Sequence, residues 1–62
     1  MSKETKLKTT REQKGLKQEE VAKQANKSLR TYQRYEDGER EPRASTAKLI
    51  AKALNSTVEE LF

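Results

Sequence analysis

The residues of this sequence that could perform catalysis are few, and they lack the partners that catalysis requires. The hydroxyls of Ser28 and Ser45 have no general base, because the chain contains no histidine. It also contains no cysteine, which removes thiolate chemistry, disulfides and nearly every zinc site. The acidic residues form no metal-binding motif, and there is no glycine-rich phosphate loop. We therefore predict a protein that is not an enzyme and that uses no metal or other cofactor.

Positive charge is the more informative chemistry, and it is concentrated in two segments. Residues 1–17 carry six basic and two acidic side chains, and residues 27–35 carry three basic side chains and no acidic one. Clustered lysine and arginine attract polyanions, so these segments favour a nucleic acid as partner, although a basic balance alone is weak support. At the amino terminus, Lys3, Lys6 and Lys8 are expected to add only unspecific attraction.

The size and hydropathy of the chain limit the kind of protein it can be. A domain of 62 residues buries only about 60% of the surface that its unfolded chain exposes, so the core must be thin. No apolar run approaches the roughly 20 residues that cross a bilayer, and no segment resembles a signal peptide. We therefore expect one domain over residues 1–62, a cytoplasmic location and no contact with a membrane.

Helix-forming and helix-ending residues divide the chain into short helices without a sheet, so the predicted fold class is all-α. The predicted helices cover about residues 3–14, 18–24, 29–36 and 44–54. A short last helix follows a capping box of Thr57 and Glu60. In the three-residue turn after the second helix, Asn26 can adopt a positive φ, and Ser28 is the N-cap of the third helix. The predicted stops are Gly15, Gly38, Pro42 and Asn55.

The order of helix, three-residue turn and basic helix, with the small Ala22 where the two helices cross, is typical of a helix-turn-helix. Further residues fit the same arrangement in register over residues 7–62. They are Leu7, Arg11, Gly15-Leu16, Gln18-Glu19-Glu20-Val21-Ala22, Ser28, Thr31, Arg34, Glu36, Gly38, Pro42, Thr46, Ile50-Ala51-Lys52-Ala53-Leu54 and Glu60-Leu61-Phe62. With these residues the sequence resembles the Cro/C1-type (XRE-like) helix-turn-helix domains of phage repressors and bacterial regulators. The helix-turn-helix itself would cover about residues 18–36.

The resemblance implies a compact lambda-repressor-like DNA-binding domain of four to five helices. It also implies a sequence-specific regulator of transcription, expected to be a repressor, that binds double-stranded DNA. Such domains usually bind as dimers, so we expect a homodimer at least on DNA and no small-molecule ligand. A small contact between two copies could come from Leu54, Val58, Leu61 and Phe62.

The alternative is a protein-interaction module, such as an antitoxin or a bridging transcription cofactor. Domains of the same type occur in both kinds of protein. An antitoxin usually needs an added toxin-binding segment, and we expect none beyond this domain. This consideration favours DNA binding mildly.

The resemblance implies that the third helix lies in the major groove with its early residues facing the base edges. Leu29, Arg30 and Gln33 would project into the groove, and Arg34 could reach a base or a phosphate. Arginine can donate two hydrogen bonds to guanine, glutamine can pair with adenine, and leucine can contact a thymine methyl group. We predict Arg30 and Gln33 as the main readers; the alternative is that Arg30 and Arg34 are merely solvated. Leu29 would be exposed in the free protein.

Five polar residues are expected to contact the DNA backbone: Gln18, Ser28, Thr31, Arg40 and Arg43. By resemblance, Gln18 and the free N–H groups of the second helix would hold a phosphate; the alternative, which could hold at the same time, is that Gln18 caps its own helix, since Lys17 is a poor cap. Ser28 would cap the third helix, and Thr31 is either a phosphate contact or a packed surface hydroxyl. The loop that carries Arg40 and Arg43 is net acidic, so at least one of the two is expected to form an ion pair.

Two features are assigned to the interior. By resemblance, Arg11 and Glu36 would form a structural ion pair between the first helix and the end of the third. The family usually has a leucine where Ala25 stands, so the core would lose volume there. Tyr32 and Tyr35 would refill that volume, with their hydroxyls reaching the surface.

Overall fold

The computed structural model describes residues 6–62, and this part of the chain forms five α-helices and no strand. The helices are α1 (Lys6–Gln13), α2 (Gln18–Gln24), α3 (Leu29–Glu36), α4 (Ala44–Ala53) and α5 (Val58–Leu61). The all-α prediction is confirmed. The start predicted for the first helix at Lys3 lies outside the described residues, and α1 and α4 each end one residue earlier than predicted. None of the five helices has the length and apolar content needed to span a bilayer.

Four of the helices end with the same backbone motif. After α1, α2, α3 and α4 the chain passes through a residue with positive φ, at Gly15 (70°), Asn26 (59°), Gly38 (75°) and Asn55 (52°). The residue that follows each of them donates its backbone N–H to the carbonyl five residues earlier, at 2.8–3.2 Å. This is a Schellman motif, which satisfies carbonyls that the helix leaves free. The stops predicted at Gly15, Gly38 and Asn55 are confirmed, as is the positive φ of Asn26.

Side-chain caps begin two of the helices. The N–H of Thr31 donates to the Ser28 hydroxyl at 3.2 Å, so Ser28 is the N-cap of α3 as predicted. The N–H of Glu60 donates to the Thr57 hydroxyl at 3.3 Å at the start of α5. The carboxylate of Glu60 accepts from the Ser56 hydroxyl at 3.0 Å. Because that carboxylate faces Ser56, only half of the predicted capping box forms.

The core lies where the helices meet. α2 packs against α3 and α4, α1 packs against α3 and α5, and α4 packs against α5. Ala22 is 2% exposed, in agreement with the need for a small residue where α2 crosses α3. The other buried apolar side chains are Leu7, Val21, Ala25, Tyr32, Tyr35, Ala47, Ile50, Ala51, Leu54 and Leu61.

The two tyrosines face the core as predicted, but the hydroxyl of Tyr32 does not lie where it was expected. Tyr32 is fully buried and Tyr35 nearly so. The Tyr32 hydroxyl is buried and makes no hydrogen bond of acceptable geometry within the described part of the chain. The expectation that it reaches the surface is therefore wrong, because α3 turns this ring directly towards the core.

Candidate nucleic-acid interface

The exposed side of α3, which we call the α3 face, consists of Leu29, Arg30, Gln33 and Arg34. At about 100° per residue these four positions span an arc of roughly 140°, and the tyrosines occupy the opposite side. Leu29 is 38% exposed, as predicted. Neither arginine forms an ion pair or hydrogen bond with another described residue. The face is positive because the one acidic side chain of α3, Glu36, is buried.

An ion pair behind the α3 face joins α1 to the end of α3. Arg11 donates from Nε to Glu36 Oε2 at 2.6 Å and from Nη2 to Oε1 at 3.3 Å. Its Nη1 donates to the carbonyl of Leu16 at 2.7 Å. Because Leu16 lies between α1 and α2, this hydrogen bond also fixes the connection between the two helices. The side chains of Arg11 and Glu36 are 11% and 1% exposed. The structure thus brings together the two residues assigned to a structural pair.

Gln18 connects this ion pair to the α3 face. Its Nε2 donates to Glu36 Oε1 at 3.0 Å, and its Oε1 accepts from Gln33 Nε2 at 3.1 Å. At the start of α2, it is the carboxylate of Glu20 that accepts from the backbone N–H of Lys17, at 3.3 Å. The alternative in which Gln18 caps its own helix is therefore wrong, because its amide is held by the two side chains of α3.

The residues Arg11, Glu36, Gln18 and Gln33 form one continuous line of hydrogen bonds, which we call the polar relay. All four residues were predicted at the site or in the structural pair, but the hydrogen bonds that connect them were not. Residues 15 and 18 positions apart become neighbours only through the crossing of α2 and α3. The available signal was a glutamine at the first position of α2 opposite a glutamate at the last position of α3.

Burial and hydrogen bonding shift the pKa values of groups in this cluster. Burial opposes ionisation of Glu36, but the hydrogen bonds from Arg11 and Gln18 outweigh it and lower the pKa of Glu36. The hydrogen bond to Glu36 raises the pKa of Arg11. Burial, followed by the neighbouring Glu36, raises the pKa of Tyr32. At neutral pH the relay therefore contains an ionised carboxylate beside a neutral tyrosine.

Ser28 and Thr31 lie together at the N-terminus of α3, next to the α3 face. The Ser28 hydroxyl donates to the Thr31 hydroxyl at 3.0 Å and accepts from the Thr31 N–H. Ser28 is exposed and Thr31 is half-buried. Both hydroxyls therefore lie where the partial positive charge of the helix end is greatest.

A polar depression of about 370 Å³ lies between the loop after α3 and the start of α4. Its lining is mainly basic and hydroxylated, with Lys27, Tyr35, Arg40, Glu41, Arg43, Ser45 and Thr46. Arg40 and Arg43 are exposed and form no ion pair within the described residues. The expectation that one of them pairs with an acid of this loop is wrong, because both extend into solvent.

The N-terminus of α4 borders this depression and has no side-chain cap. Its N-cap is Arg43, its first turn contains no acid, and its first helical hydrogen bond runs from the N–H of Ala47 to the carbonyl of Arg43. The N–H groups before Ala47 therefore lack helical partners. Thr46, only 6% exposed, makes no hydrogen bond to another described residue. Lys27, Ser45 and Thr46 were not predicted at this site; the signal that could have found it was Lys27 at the start of the basic segment 27–35.

The carboxy-terminal surface offers less apolar area for a contact between copies than the sequence predicts. Leu54 and Leu61 are 1% and 3% exposed, so they are unavailable for a contact between copies. This small domain needs both of them for its own core. Val58 is half-buried and Phe62 is 48% exposed. These two border a shallow depression of about 310 Å³, together with Glu41, Pro42, Ala44 and Ala47.

Comparison with known proteins supports the arrangement of helices described above. A helix-turn-helix family model matches residues 7–61. The structure is similar to that of the restriction-modification controller protein C.AhdI from Aeromonas hydrophila, with a TM-score of 0.83 and 30% identity over 92% of this chain and 86% of that one. It is also similar to the clp gene regulator ClgR from C. glutamicum, with a TM-score of 0.80 over 89% of this chain and 71% of that one; at 24% identity this likeness concerns the fold. No curated protein sequence matches the chain.

Proposed function

We propose that this chain, which belongs to the Cro/C1-type (XRE-like) helix-turn-helix family of DNA-binding transcriptional regulators, binds specific double-stranded DNA sites and represses transcription from them. The observation that carries the proposal is the α3 face, where two arginines without partners among the described residues lie on a helix held from behind by the core. An unpaired guanidinium keeps five N–H donors for a ligand. We propose a non-catalytic role in the cytoplasm.

We propose that Arg30 and Gln33 are the main readers of base edges. A guanidinium can donate two hydrogen bonds to O6 and N7 of guanine, and a carboxamide can pair with N6 and N7 of adenine. Leu29 would contact a thymine methyl group, and Arg34, further round the helix, would contact a base or a phosphate. In support, all four side chains are on one exposed arc of α3.

We propose that Gln18, Ser28 and Thr31 bind phosphates on one rim of the groove. Gln18 is the first residue of α2, and the Ser28–Thr31 pair is at the start of α3. Helix N-termini present free N–H groups and partial positive charge, which suit a phosphate. These contacts would set the orientation of α3 without reading sequence.

We propose that the depression before α4 binds a further phosphate. Arg40 and Arg43 supply charge, Lys27 adds a third cation, and the uncapped start of α4 supplies N–H donors. The hydroxyl of Thr46 is a further donor that lacks a partner among the described residues. A phosphate would satisfy the donors that the fold leaves free at this end of α4.

We propose that two copies bind neighbouring half-sites about one helical turn apart. One α3 face can contact only a few base pairs, so a second copy is needed for a site of useful specificity. Of the apolar residues at the carboxy terminus, Val58 and Phe62 remain accessible for a contact between copies.

The proposal is tested by selecting bound duplexes from a random pool and then comparing Arg30→Ala with Lys52→Ala on the selected site. Lys52 is an exposed cation in the last turn of α4, so its removal changes the net charge equally without changing the α3 face. Arg30→Ala should lose about 1–3 kcal/mol of binding free energy and relax the preference at one base pair. Lys52→Ala should keep the preference. Fluorescence anisotropy at several salt concentrations measures both, and the affinity of each protein should fall steeply with salt.

Two results would contradict the proposal at different levels. Absence of duplex affinity at low ionic strength would exclude DNA binding and favour the protein-interaction alternative. Duplex binding in which Arg30→Ala retains the full sequence preference would leave a DNA-binding protein but remove Arg30 as a reader.

A further inference from the structure

We infer that Glu36 determines which base Gln33 reads, because Glu36 orients the amide of Gln18 and Gln18 in turn orients the amide of Gln33. The inference rests on the proposed function, in which Gln33 faces base edges. It assigns a positioning role in base recognition to a buried residue that cannot itself touch DNA, being 1% exposed.

The first step concerns the contact between Glu36 and Gln18. An ionised carboxylate can only accept hydrogen bonds. Glu36 accepts from Arg11 at 2.6 Å and from Gln18 Nε2 at 3.0 Å. If the Gln18 amide were reversed, its oxygen would face an oxygen of the Glu36 carboxylate, which is 1% exposed, and two acceptors in contact there are unfavourable. Glu36 therefore forces Gln18 to turn its NH₂ inward and its oxygen outward.

The second step concerns the contact between Gln18 and Gln33. Because the outward group of Gln18 is an oxygen, Gln33 must donate to it, as it does from Nε2 at 3.1 Å. Gln33 then has one N–H and its own carbonyl oxygen left for a ligand. This donor and acceptor match N7 and the N6 amino group of adenine. Guanine presents two acceptors at the same edge, so one of them would face the Gln33 oxygen.

The direction of hydrogen bonding along the polar relay thus selects adenine over guanine, and it can be reversed by one substitution. In Glu36→Gln, the new amide keeps its oxygen towards Arg11 Nε, the shorter of the two contacts, and turns its NH₂ towards Gln18. It loses the longer hydrogen bond from Arg11 Nη2 to Oε1, which is 3.3 Å in the wild-type chain. Gln18 then turns its oxygen inward and its NH₂ outward, and Gln33 accepts from it. The free edge of Gln33 becomes its NH₂, with two donors, which suit O6 and N7 of guanine.

The experiment uses two duplexes that differ only at the base pair where Gln33→Ala removes the preference. The measured quantity is the ratio of the dissociation constants for guanine and adenine at that position. The wild-type chain should prefer adenine by roughly 5- to 150-fold. Glu36→Gln should reduce this ratio at least several-fold and move it towards guanine. Gln18→Met, which keeps the length of the side chain but removes its amide, should lower the ratio towards one.

The ratio separates positioning from other roles of the same residues. Loss of stability in Glu36→Gln, or loss of a phosphate contact in Gln18→Met, weakens binding to both duplexes equally and leaves the ratio unchanged. Circular dichroism at the binding temperature verifies that each variant is folded. Gln18→Met keeps the Arg11–Glu36 pair, so it provides the test even if Glu36→Gln does not fold.

The possible results distinguish this inference from the proposed function. If Gln33→Ala removes the adenine preference but a folded Gln18→Met keeps it, the positioning role is wrong and the proposed function stands. If Gln33→Ala leaves every base preference unchanged, both the role of Gln33 and the inference are wrong. In the Gln33→Ala background, Gln18→Met should not change base preference further; an additional change would also contradict the inference.

Discussion

The polar relay and the α3 face use the same side-chain chemistry in opposite ways. Arg11 in the relay donates to both oxygens of Glu36 and to the carbonyl of Leu16. Arg30 on the α3 face has no such partner among the described residues. A buried charge is tolerated only when it is paired and hydrogen-bonded, whereas water satisfies an exposed one. The fold therefore uses the first arginine for cohesion and keeps the donors of the second free for a ligand.

The largest expected difference in stability between the polar relay and the α3 face comes from removing the acidic partner of the buried Arg11. Glu36→Ala leaves Arg11 charged without its partner, and we expect it to cost about 3–5 kcal/mol of unfolding free energy. This cost is comparable with the whole stability expected of so small a domain. On the α3 face, Arg34→Ala should change stability by less than about 0.5 kcal/mol. Urea denaturation followed by circular dichroism measures both, and equal effects would mean that the relay is no more structural than the face.

The stability contributed by the polar relay should depend on pH in the acid range, whereas that of the α3 face should not. Since the pKa of Glu36 in the folded chain is lowered from 4.5, its contribution to stability is fully present above pH 4.5. The contribution is lost as the pH falls through the folded pKa. The difference in melting temperature between wild type and Glu36→Gln should therefore shrink on acidification below pH 4.5. The matched difference for Arg34→Ala should stay small throughout, and a Glu36→Gln difference that is independent of pH would contradict the assignment.

The smallest expected effect concerns Tyr32, whose buried hydroxyl makes no hydrogen bond within the described part of the chain. Tyr32→Phe removes a buried hydroxyl that has no hydrogen-bond partner among residues 6–62, and it should raise stability at pH 7 by up to about 1 kcal/mol. Because burial raises the pKa of Tyr32 above 10.0, wild-type stability should also fall as the pH rises past 10, and the variant should lack this loss. Denaturation curves at pH 7 and above pH 10 measure both effects. A loss of stability in Tyr32→Phe at pH 7 would show that the hydroxyl binds Glu36 favourably.

The sequence predicted the parts of this contrast that depend on local pattern. The bounds of α2 and α3 follow from a helix-forming run, the N-cap Ser28 and the turn at Asn26, all within a few residues. The exposure of Leu29 follows from helical spacing relative to the tyrosines. Each of these features is decided by neighbours along the chain.

The parts that could not be predicted depend on how the helices pack. The hydrogen bonds of Gln18 join two helices, so they need the crossing angle of α2 and α3. The sequence shows that Leu54 and Leu61 are apolar, but it does not show whether they lie in the core or on the surface. Only the packing of the helices shows that both are buried in the core. The separation of Arg40 and Arg43 from the acids of their loop depends on side-chain directions in a segment without regular structure.

The residues with positive φ that end the first four helices have a consequence for the folding of the chain. Each change of direction is specified by a single residue and by hydrogen bonds that span no more than six residues. Little loop-closure entropy is then lost before neighbouring helices meet, and helical domains of this kind fold in about microseconds to milliseconds. A molecule that unfolds between two encounters with its target should therefore rebuild its recognition helix before the next one.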